Sequence, residues 1–208
     1  MMKRVLISLV LALPLAGCIS FGEPAPKSLM TLSSSAQAPT GVDRTTAGGG
    51  SLVVIPPVAA PALQSNRVVV HTTDTEIAYL ADAQWSDEPS RLFAGLLAES
   101  IAARTPWIVL DRRQFALSPG ARLTGQLHAF GLDAPRGEVV VRYDAALDRG
   151  GGTPLLTRRF EARLPTPSEQ AGTVGPVLNN AANQVAVQVA DWVNSVAPVA
   201  RTDSPPPR

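Results

Sequence analysis

Cysteine and histidine are scarce in this chain. Of its 208 residues one is a cysteine, Cys18, and two are histidines, His71 and His128. A single thiol leaves no second cysteine for an intramolecular disulfide, so we expect no cross-link to contribute to stability. Zinc sites draw mainly on cysteine and histidine, so a zinc site here would need carboxylates at spacings that the sequence does not display. The sequence therefore predicts neither a metal nor another cofactor.

An excess of charge of either sign is also missing. The chain carries 18 lysines and arginines against 17 aspartates and glutamates, a formal net charge of +1. Nucleic-acid-binding domains and polybasic membrane segments usually carry a clear basic surplus. We therefore predict that the chain does not bind nucleic acid and that long-range charge does not bring it to its partner.

Recognisable catalytic motifs are absent as well. Neither Gly-x-Ser-x-Gly nor Ser-x-x-Lys occurs, and Gly48–Gly50 lacks the Lys-Ser/Thr of a phosphate loop, which indicates a linker. His128 falls on the polar face of a predicted strand and His71 at the end of another, where solvated side chains are the common case. Asp87 and Glu88 are neighbours at a predicted helix start, which favours an interaction with the helix dipole over acid–base chemistry. The sequence predicts no enzymatic activity.

What the chain does have is a segment typical of bacterial lipoprotein signal peptides. A charged start is followed by an apolar run from Val5 to Ala16, which ends in Leu15-Ala16-Gly17-Cys18. A run of about a dozen residues is too short for a membrane span of roughly 20. We predict that residues 1–17 are removed and that Cys18 then carries acyl chains, such as palmitate, on its sulfur and amino group. An ordinary signal peptide with a chance cysteine and a buried structural cysteine are the alternatives.

The residue after Cys18 bears on which membrane holds the chain. In Gram-negative bacteria an aspartate at this position usually retains lipoproteins at the inner membrane, and here the residue is Ile19. Two or more acyl chains anchor a protein stably, whereas one holds it only marginally. We therefore predict a lipid-anchored protein on the periplasmic face of the outer membrane.

Composition divides the rest of the chain into three parts. Residues 18–50 are rich in Pro, Ser, Thr, Ala and Gly and cannot bury enough apolar surface to fold. They predict a flexible tether of roughly 30 Å, with a candidate short strand at residues 29–32. Residues 51–197 form the predicted domain, and residues 198–208 a disordered tail.

Hydrophobic periodicity predicts the first elements of the domain. Short β-branched runs predict four strands, at residues 51–55, 67–71, 76–80 and 107–110. Thr72–Thr75 would join the second and third of them as a hairpin. Apolar residues at helical spacing predict a helix from Pro89 to Arg104, capped by Ser86 or Asp87.

Three longer segments alternate apolar and polar residues, which is typical of strands with one face on a core and one in water. They are residues 122–129, 138–148 and 156–164, and in the first Leu123, Leu127 and Ala129 would face the core. Turn-like sequences between them predict an antiparallel meander. A last helix is predicted from about Ser168 to Val196. The predicted fold is α/β (α+β), a two-layer sandwich of a mixed, largely antiparallel sheet with two amphipathic helices on one face.

Trp85 lies between the third predicted strand and the first helix. Its ring could close the core where the chain turns, or it could form a contact surface for a partner or a lipid. Both interpretations stay open at this point.

The order of these elements resembles the ABC-type transport auxiliary lipoprotein family, which includes the paraquat-inducible C-type lipoproteins. The similar pieces follow the signal peptide and are Leu52–Pro56, Arg67–Val70, Glu76–Tyr79 and Trp85–Pro89. With the later meander and final helix the resemblance extends over most of residues 28–197.

The resemblance implies a non-enzymatic part of an envelope transport system. In such systems an inner-membrane ABC transporter works with MCE-domain proteins that bridge the periplasm and move lipids or other hydrophobic compounds. The implied partners are thus an MCE-domain protein and ABC transporter subunits, and the implied role is docking that conduit at the outer membrane. A homo-oligomer is compatible with the role, although no sequence feature requires one. The alternatives are a lipoprotein that itself binds a lipid or small hydrophobic ligand between sheet and helices, and a periplasmic hydrolase.

Overall fold

The computed structural model describes residues 28–46, 50–117 and 120–196. The predicted signal peptide (residues 1–17), Cys18 and the predicted tail (residues 198–208) lie outside the described residues. Within the described ranges, the helices are all too short or too polar to cross a membrane.

In these ranges the chain forms eight strands and three α-helices, in an order that fits the predicted pattern of short strands, helix, meander and helix. The elements are β1 (Ser51–Val54), β2 (Val58–Ala59), β3 (Arg67–His71), β4 (Ile77–Gln84), α1 (Pro89–Arg104), β5 (Ile108–Leu110), α2 (Arg112–Leu117), β6 (Ala121–Asp133), β7 (Glu138–Asp148), β8 (Leu156–Pro165) and α3 (Ala171–Ser195).

All eight strands belong to one mixed sheet with β6 at its centre. β7 pairs antiparallel with β6 along nearly its whole length, and β8 pairs in the same way with β7. On the other edge of β6 the strands β1, β2 and β3 pair with it in parallel, one after another. β5 extends the sheet beside β1, and β4 extends it beside β3 as the second strand of a hairpin. The predicted fold class, hairpin and meander are confirmed.

A β-bulge at His128 changes which side chains of β6 face the core. The pairing between β6 and β7 shifts register between Leu127 and Ala129, so His128 is an extra residue. Because side chains alternate with a period of two, one extra residue sends the following side chains to the opposite face. Phe130 and Leu132 are accordingly buried, whereas Ala129 is only half-buried and pairs with a residue of the outer face. The prediction that Ala129 faces the core is wrong.

α1 and α3 cover one face of the sheet and run side by side in the same direction. Arg104 at the end of α1 donates to Asp191 near the end of α3, with Nη2 and Oδ1 2.8 Å apart. Beneath them Phe93 meets Tyr143 edge-on at 5.3 Å between ring centroids and lies 6.1 Å from Phe130. All three rings are at most 1% exposed, so side chains fill this part of the interior between helices and sheet.

The start of α1 is where we predicted it, but no side chain caps it. Glu88 is the N-cap residue and makes no capping hydrogen bond with its side chain, while Pro89 stands in the first turn. Proline suits that position because its missing N–H would have no partner inside the helix. Asp87 instead accepts from the Glu88 backbone N–H at 2.8 Å and pairs with Arg91. The prediction of a cap by Ser86 or Asp87 is wrong.

The short helix α2 was not predicted, and it lies on the other face of the sheet. The Arg122 guanidinium, on the outer face of β6, stands 5.5 Å from the ring of Phe115 in α2. β1 is covered on both faces as a result, with Leu52 and Val53 0% and 3% exposed. The placement of helices on one face is therefore correct for the two long helices only.

Candidate functional site

Residues 28–46, which we call the strap, run along the helix layer. At the beginning of the strap the Met30 N–H donates to the Gln84 carbonyl at 2.7 Å, and the Ser86 N–H donates to the Met30 carbonyl at 2.8 Å. At its end Arg44 donates to the Ala102 carbonyl at 2.6 Å. The strap therefore enters beside the start of α1 and leaves beside the end of α1. Of the candidate strand at residues 29–32, Met30 alone forms a bridge, with Trp85.

Two asparagines of α3 hold the middle of the strap. Asn183 accepts from the Ser35 N–H at 2.7 Å and donates to the Ser33 carbonyl at 2.8 Å. Asn179 accepts from the Ser33 N–H at 2.9 Å. The strap has too few apolar side chains to fold by burying them. Hydrogen bonds from the two asparagine side chains hold it in place instead. The prediction of a flexible tether over residues 18–50 is wrong for residues 28–46.

Replacing Asn183 by alanine is expected to release the middle of the strap while the domain stays folded. The change removes the acceptor of Ser35 and the donor to Ser33, at about 1 kcal/mol for each hydrogen bond. Hydrogen–deuterium exchange should accelerate over residues 30–38 and stay unchanged in β6 and β7. Asn180→Ala, an exposed neighbour on the same helix, is the matched control. Faster exchange throughout the sheet would contradict a local role for Asn183.

On the opposite face of the sheet the strands β6, β7 and β8 carry a row of ion pairs. Asp144 accepts two hydrogen bonds from Arg159, at 2.6 and 2.7 Å. His128, the bulged residue, places Nε2 3.0 Å from the same carboxylate. The bulge therefore brings His128 to an acid on the neighbouring strand.

A second group of charges lies at the end of this face, beside a shallow, open depression lined in part by His71. Glu161 pairs with Arg142 and with Arg163, the latter at 2.6 Å. Asp133 pairs with Arg136 at 2.8 Å. The three arginines that line the depression, Arg136, Arg142 and Arg163, are therefore all engaged in ion pairs.

The arginines keep these carboxyl groups ionised. The Arg159 hydrogen bond holds the pKa of Asp144 at about 2, against an opposing effect of partial burial. Partial burial raises the pKa of Asp133, but the Arg136 hydrogen bond and charge outweigh it, so the pKa lies below its usual value. A carboxyl with a lowered pKa is a poor proton donor near neutral pH. The arrangement is therefore suited to holding strands together rather than to proton transfer.

Acid is expected to weaken this face of the sheet. The pKa of Asp144 is lower in the folded chain than in the unfolded chain, so its contribution is complete above about pH 5 and is lost as the pH falls towards about 2. The side chain is 34% exposed, and solvent screening limits the effect to about 1 kcal/mol. Urea unfolding at pH 7, 5, 4 and 3 should give a flatter profile for Asp144→Asn than for the wild type. Asp74→Asn, an exposed residue of the β3–β4 turn, should leave the profile unchanged, and identical profiles for all three proteins would contradict this role.

The two predicted site residues are Cys18 and Trp85. Cys18 lies outside the described residues. Trp85 is 1% exposed and packs against Phe130 at 5.5 Å between ring centroids, so it closes the core where the chain turns into α1. The prediction that the Trp85 side chain contacts a partner is wrong for this conformation. Sequence reasoning missed Asn179 and Asn183, since a polar residue on a helix carries no sign of a partner far along the chain.

Among the described residues, no group of three His, Cys, Asp or Glu side chains is placed so that it could hold a metal ion.

Comparison with curated proteins gives no match. Two of the solved structures that match this chain illustrate the shared fold. One is a Xanthomonas campestris protein of family DUF330, with a TM-score of 0.66 and 16% identity, covering 81% of this chain and 95% of that one. The other is an uncharacterized protein with a TM-score of 0.61 and 18% identity, covering 80% and 99%.

The family model described as ABC-type transport auxiliary lipoprotein component matches residues 31–190. The match begins within the strap, runs through the whole sheet and α1, and ends within α3. It therefore takes in both layers and the segment that the composition assigned to a tether. This chain belongs to the family of ABC-type transport auxiliary lipoprotein components.

Proposed function

We propose that this protein is a lipid-anchored subunit that docks an MCE-type transport conduit at the periplasmic face of the outer membrane. The family match over residues 31–190 carries the proposal, because that family serves ABC-type transport. Its proposed partners are an MCE-domain protein and ABC transporter subunits, and lipids or other hydrophobic compounds are the proposed cargo. Cys18 at the end of the signal-peptide pattern supplies the proposed anchor.

The placement of side chains supports docking over ligand binding or catalysis. Trp85, Phe93, Phe130 and Tyr143 fill the space between α1 and the sheet, and each is at most 1% exposed. The charges of the outer face are largely satisfied by one another, and the acids there have lowered pKa values. Neither arrangement supplies a cavity for a lipid tail or a group poised for proton transfer. A protein built in this way positions its partners and leaves the chemistry to them.

The strap supports the anchoring part of the proposal. It follows the predicted signal peptide and Cys18 in the chain, and hydrogen bonds to α3 fix it to the domain. A lipid anchor at Cys18 would therefore pull on the helix layer through the strap. That connection would keep the domain close to the membrane that holds the anchor.

Co-purification from native membranes tests the proposal. Cells expressing the full-length protein are labelled with a palmitate analogue, separated into inner- and outer-membrane fractions, and analysed by affinity purification with mass spectrometry. Wild-type protein is expected to carry the label, to fractionate with the outer membrane, and to recover an MCE-domain or ABC transporter subunit. Cys18→Ala is expected to lose the label and at least about tenfold of the outer-membrane signal, because the acyl chains provide the membrane affinity.

Ile19→Asp is the matched control for the anchor. It preserves Cys18, so labelling should persist, while the protein should move to the inner-membrane fraction. Recovery of no MCE-domain or ABC transporter subunit with the wild type would overturn the docking role. Unchanged labelling of Cys18→Ala would overturn the assigned lipidation site.

A further inference from the structure

A basic surface lies at one end of the domain, where α2, the start of β6 and the end of β7 meet. Its four arginines are Arg112, Arg113, Arg122 and Arg149. The elements adjoin one another, since Arg122 is the register partner of Asp148 and its guanidinium stands 5.5 Å from the ring of Phe115. A Cβ atom built on Gly150 would lie 3.7 Å from the Gly120 carbonyl oxygen, which places the β7–β8 turn against the chain entering β6.

The carboxylates nearest to this surface are engaged with backbone N–H groups. Asp148 accepts from the Gly150 N–H at 2.9 Å. Asp111 accepts from the N–H groups of Arg113 and Gln114, at 2.7 and 2.8 Å. No ion pair to any of the four arginines is present among the described residues. A hydrogen bond from an uncharged N–H does not remove the charge of a carboxylate, but the four guanidinium groups outnumber these two carboxylates and are not paired with them.

Arg149 carries an unpaired polar group at this surface. Its Nε atom is buried and has no hydrogen-bond partner in the described part of the chain. A buried N–H of a charged group is costly to leave unpaired, so natural proteins nearly always satisfy it. The Arg149 side chain is therefore not held by a partner within the described domain.

Most arginines elsewhere in the described domain pair with a carboxylate. Six of them have a carboxylate partner, namely Arg91, Arg104, Arg136, Arg142, Arg159 and Arg163. Arg44, Arg67 and Arg158 also lack a carboxylate partner, but Arg44 donates to a backbone carbonyl and the other two stack on Tyr79 and Phe160. Among the described residues, the arginines with neither kind of partner are Arg112, Arg113 and Arg149, which all belong to the basic surface.

The basic surface lies at the end of the domain away from the entry of the strap. β7 starts at Glu138, opposite Pro165 of β8, which precedes the start of α3, and it ends beside the basic surface. Its 11 residues span about 35 Å. The predicted anchor at Cys18 would therefore join the domain at a distance from the basic surface.

We propose that the basic surface binds a carboxylate-rich segment of a protein subunit of the transport complex. This inference rests on the docking role proposed above and names the surface that performs it. Guanidinium groups bind carboxylates with two parallel hydrogen bonds, and electrostatic complementarity of this kind sets the register and the association rate. Two aspartates beside the four arginines leave a smaller excess of positive charge than the polybasic clusters that bind anionic lipid, which favours a protein.

Charge reversal in the full-length, membrane-bound protein tests the proposal. The double variant Arg112→Glu, Arg113→Glu is expected to recover about tenfold less MCE-domain or ABC transporter subunit than the wild type, because like charges would now face the partner. Acylation, membrane fraction and thermal unfolding should match the wild type, since both side chains are exposed. The control Arg67→Glu, Arg91→Glu makes the same change in charge at exposed residues away from the basic surface and should stay within about twofold.

A photo-crosslinking residue in place of the exposed Gln114 identifies what meets the surface. An adduct with an acidic segment of an MCE-domain or ABC transporter subunit is expected. An adduct with anionic lipid would overturn the inference in favour of a membrane contact. Equal recovery by both double variants and the wild type would overturn the inference and leave the docking role intact, whereas no recovery by the wild type would overturn both.

Discussion

Replacing Trp85 by alanine is expected to lower the free energy of unfolding by about 3–5 kcal/mol. The side chain is 1% exposed, and its ring packs on Phe130 at a centroid distance of 5.5 Å. Removing it would leave a cavity between the end of β4, the sheet and the strap. Met30 of the strap forms a β-bridge with Trp85. Urea denaturation followed by far-UV circular dichroism measures the loss.

Two further variants control for the size and the polarity of the ring. Trp85→Phe removes an indole Nε1–H that has no hydrogen-bond partner among the described residues, so it should cost clearly less than alanine. Trp192→Ala removes a half-buried tryptophan that packs on Phe160 at 5.6 Å, for about 1–2 kcal/mol. A loss for Trp85→Ala no larger than that for Trp192→Ala would contradict its place in the core.

Replacing Gly131 by alanine is expected to cost about 2–3 kcal/mol, through overpacking against backbone. A Cβ atom at this position would lie 2.2 Å from the Val69 carbonyl oxygen. Gly131 pairs with Val69 where β6 meets β3, so the added methyl group would push the two strands apart. Hydrogen–deuterium exchange should therefore show lost protection in β3 before any loss in β7.

Gly95→Ala is the matched control for this substitution, because it adds the same methyl group in open space. Gly95 is exposed in the middle of α1, and a Cβ atom there meets nothing within 4 Å. Alanine favours the helix over glycine, which should raise the stability by about 0.5–1 kcal/mol. Opposite signs for the two changes are expected, and equal losses would refute the steric explanation.

The meander was predictable because its alternation is clean, but the bulge within it was not. Leu127 and Phe130 are three residues apart, a spacing that breaks the period of two, and a small residue at Ala129 can be read onto either face. Only the pairing with β7 decides which residue is the extra one. The local pattern therefore predicted the strand correctly but assigned the side chains after His128 to the wrong faces of the sheet.

The strap and the basic surface were missed for a related reason. Asn183 and Ser33 are 150 positions apart, so no local pattern could indicate their hydrogen bond. A net charge of +1 likewise conceals which arginines find a carboxylate and which do not. Composition correctly indicated that residues 28–46 lack apolar side chains for a core of their own, but it could not indicate that α3 supplies hydrogen bonds instead.

Attachment of the strap to the helix layer would also set the local concentration of the domain near its partner. With the acyl group that we propose on Cys18, about ten residues separate the anchor from Ser28, and whatever path they take they reach at most about 35 Å. If the strap were released as far as Gly50, the limit would rise to about 110 Å. The volume open to the domain grows as the cube of that reach, roughly thirtyfold, and its concentration near a partner in the same membrane falls in proportion. The hydrogen bonds that hold the strap, those of Asn179 and Asn183 among them, would thus set how often the domain meets its partner without touching that partner.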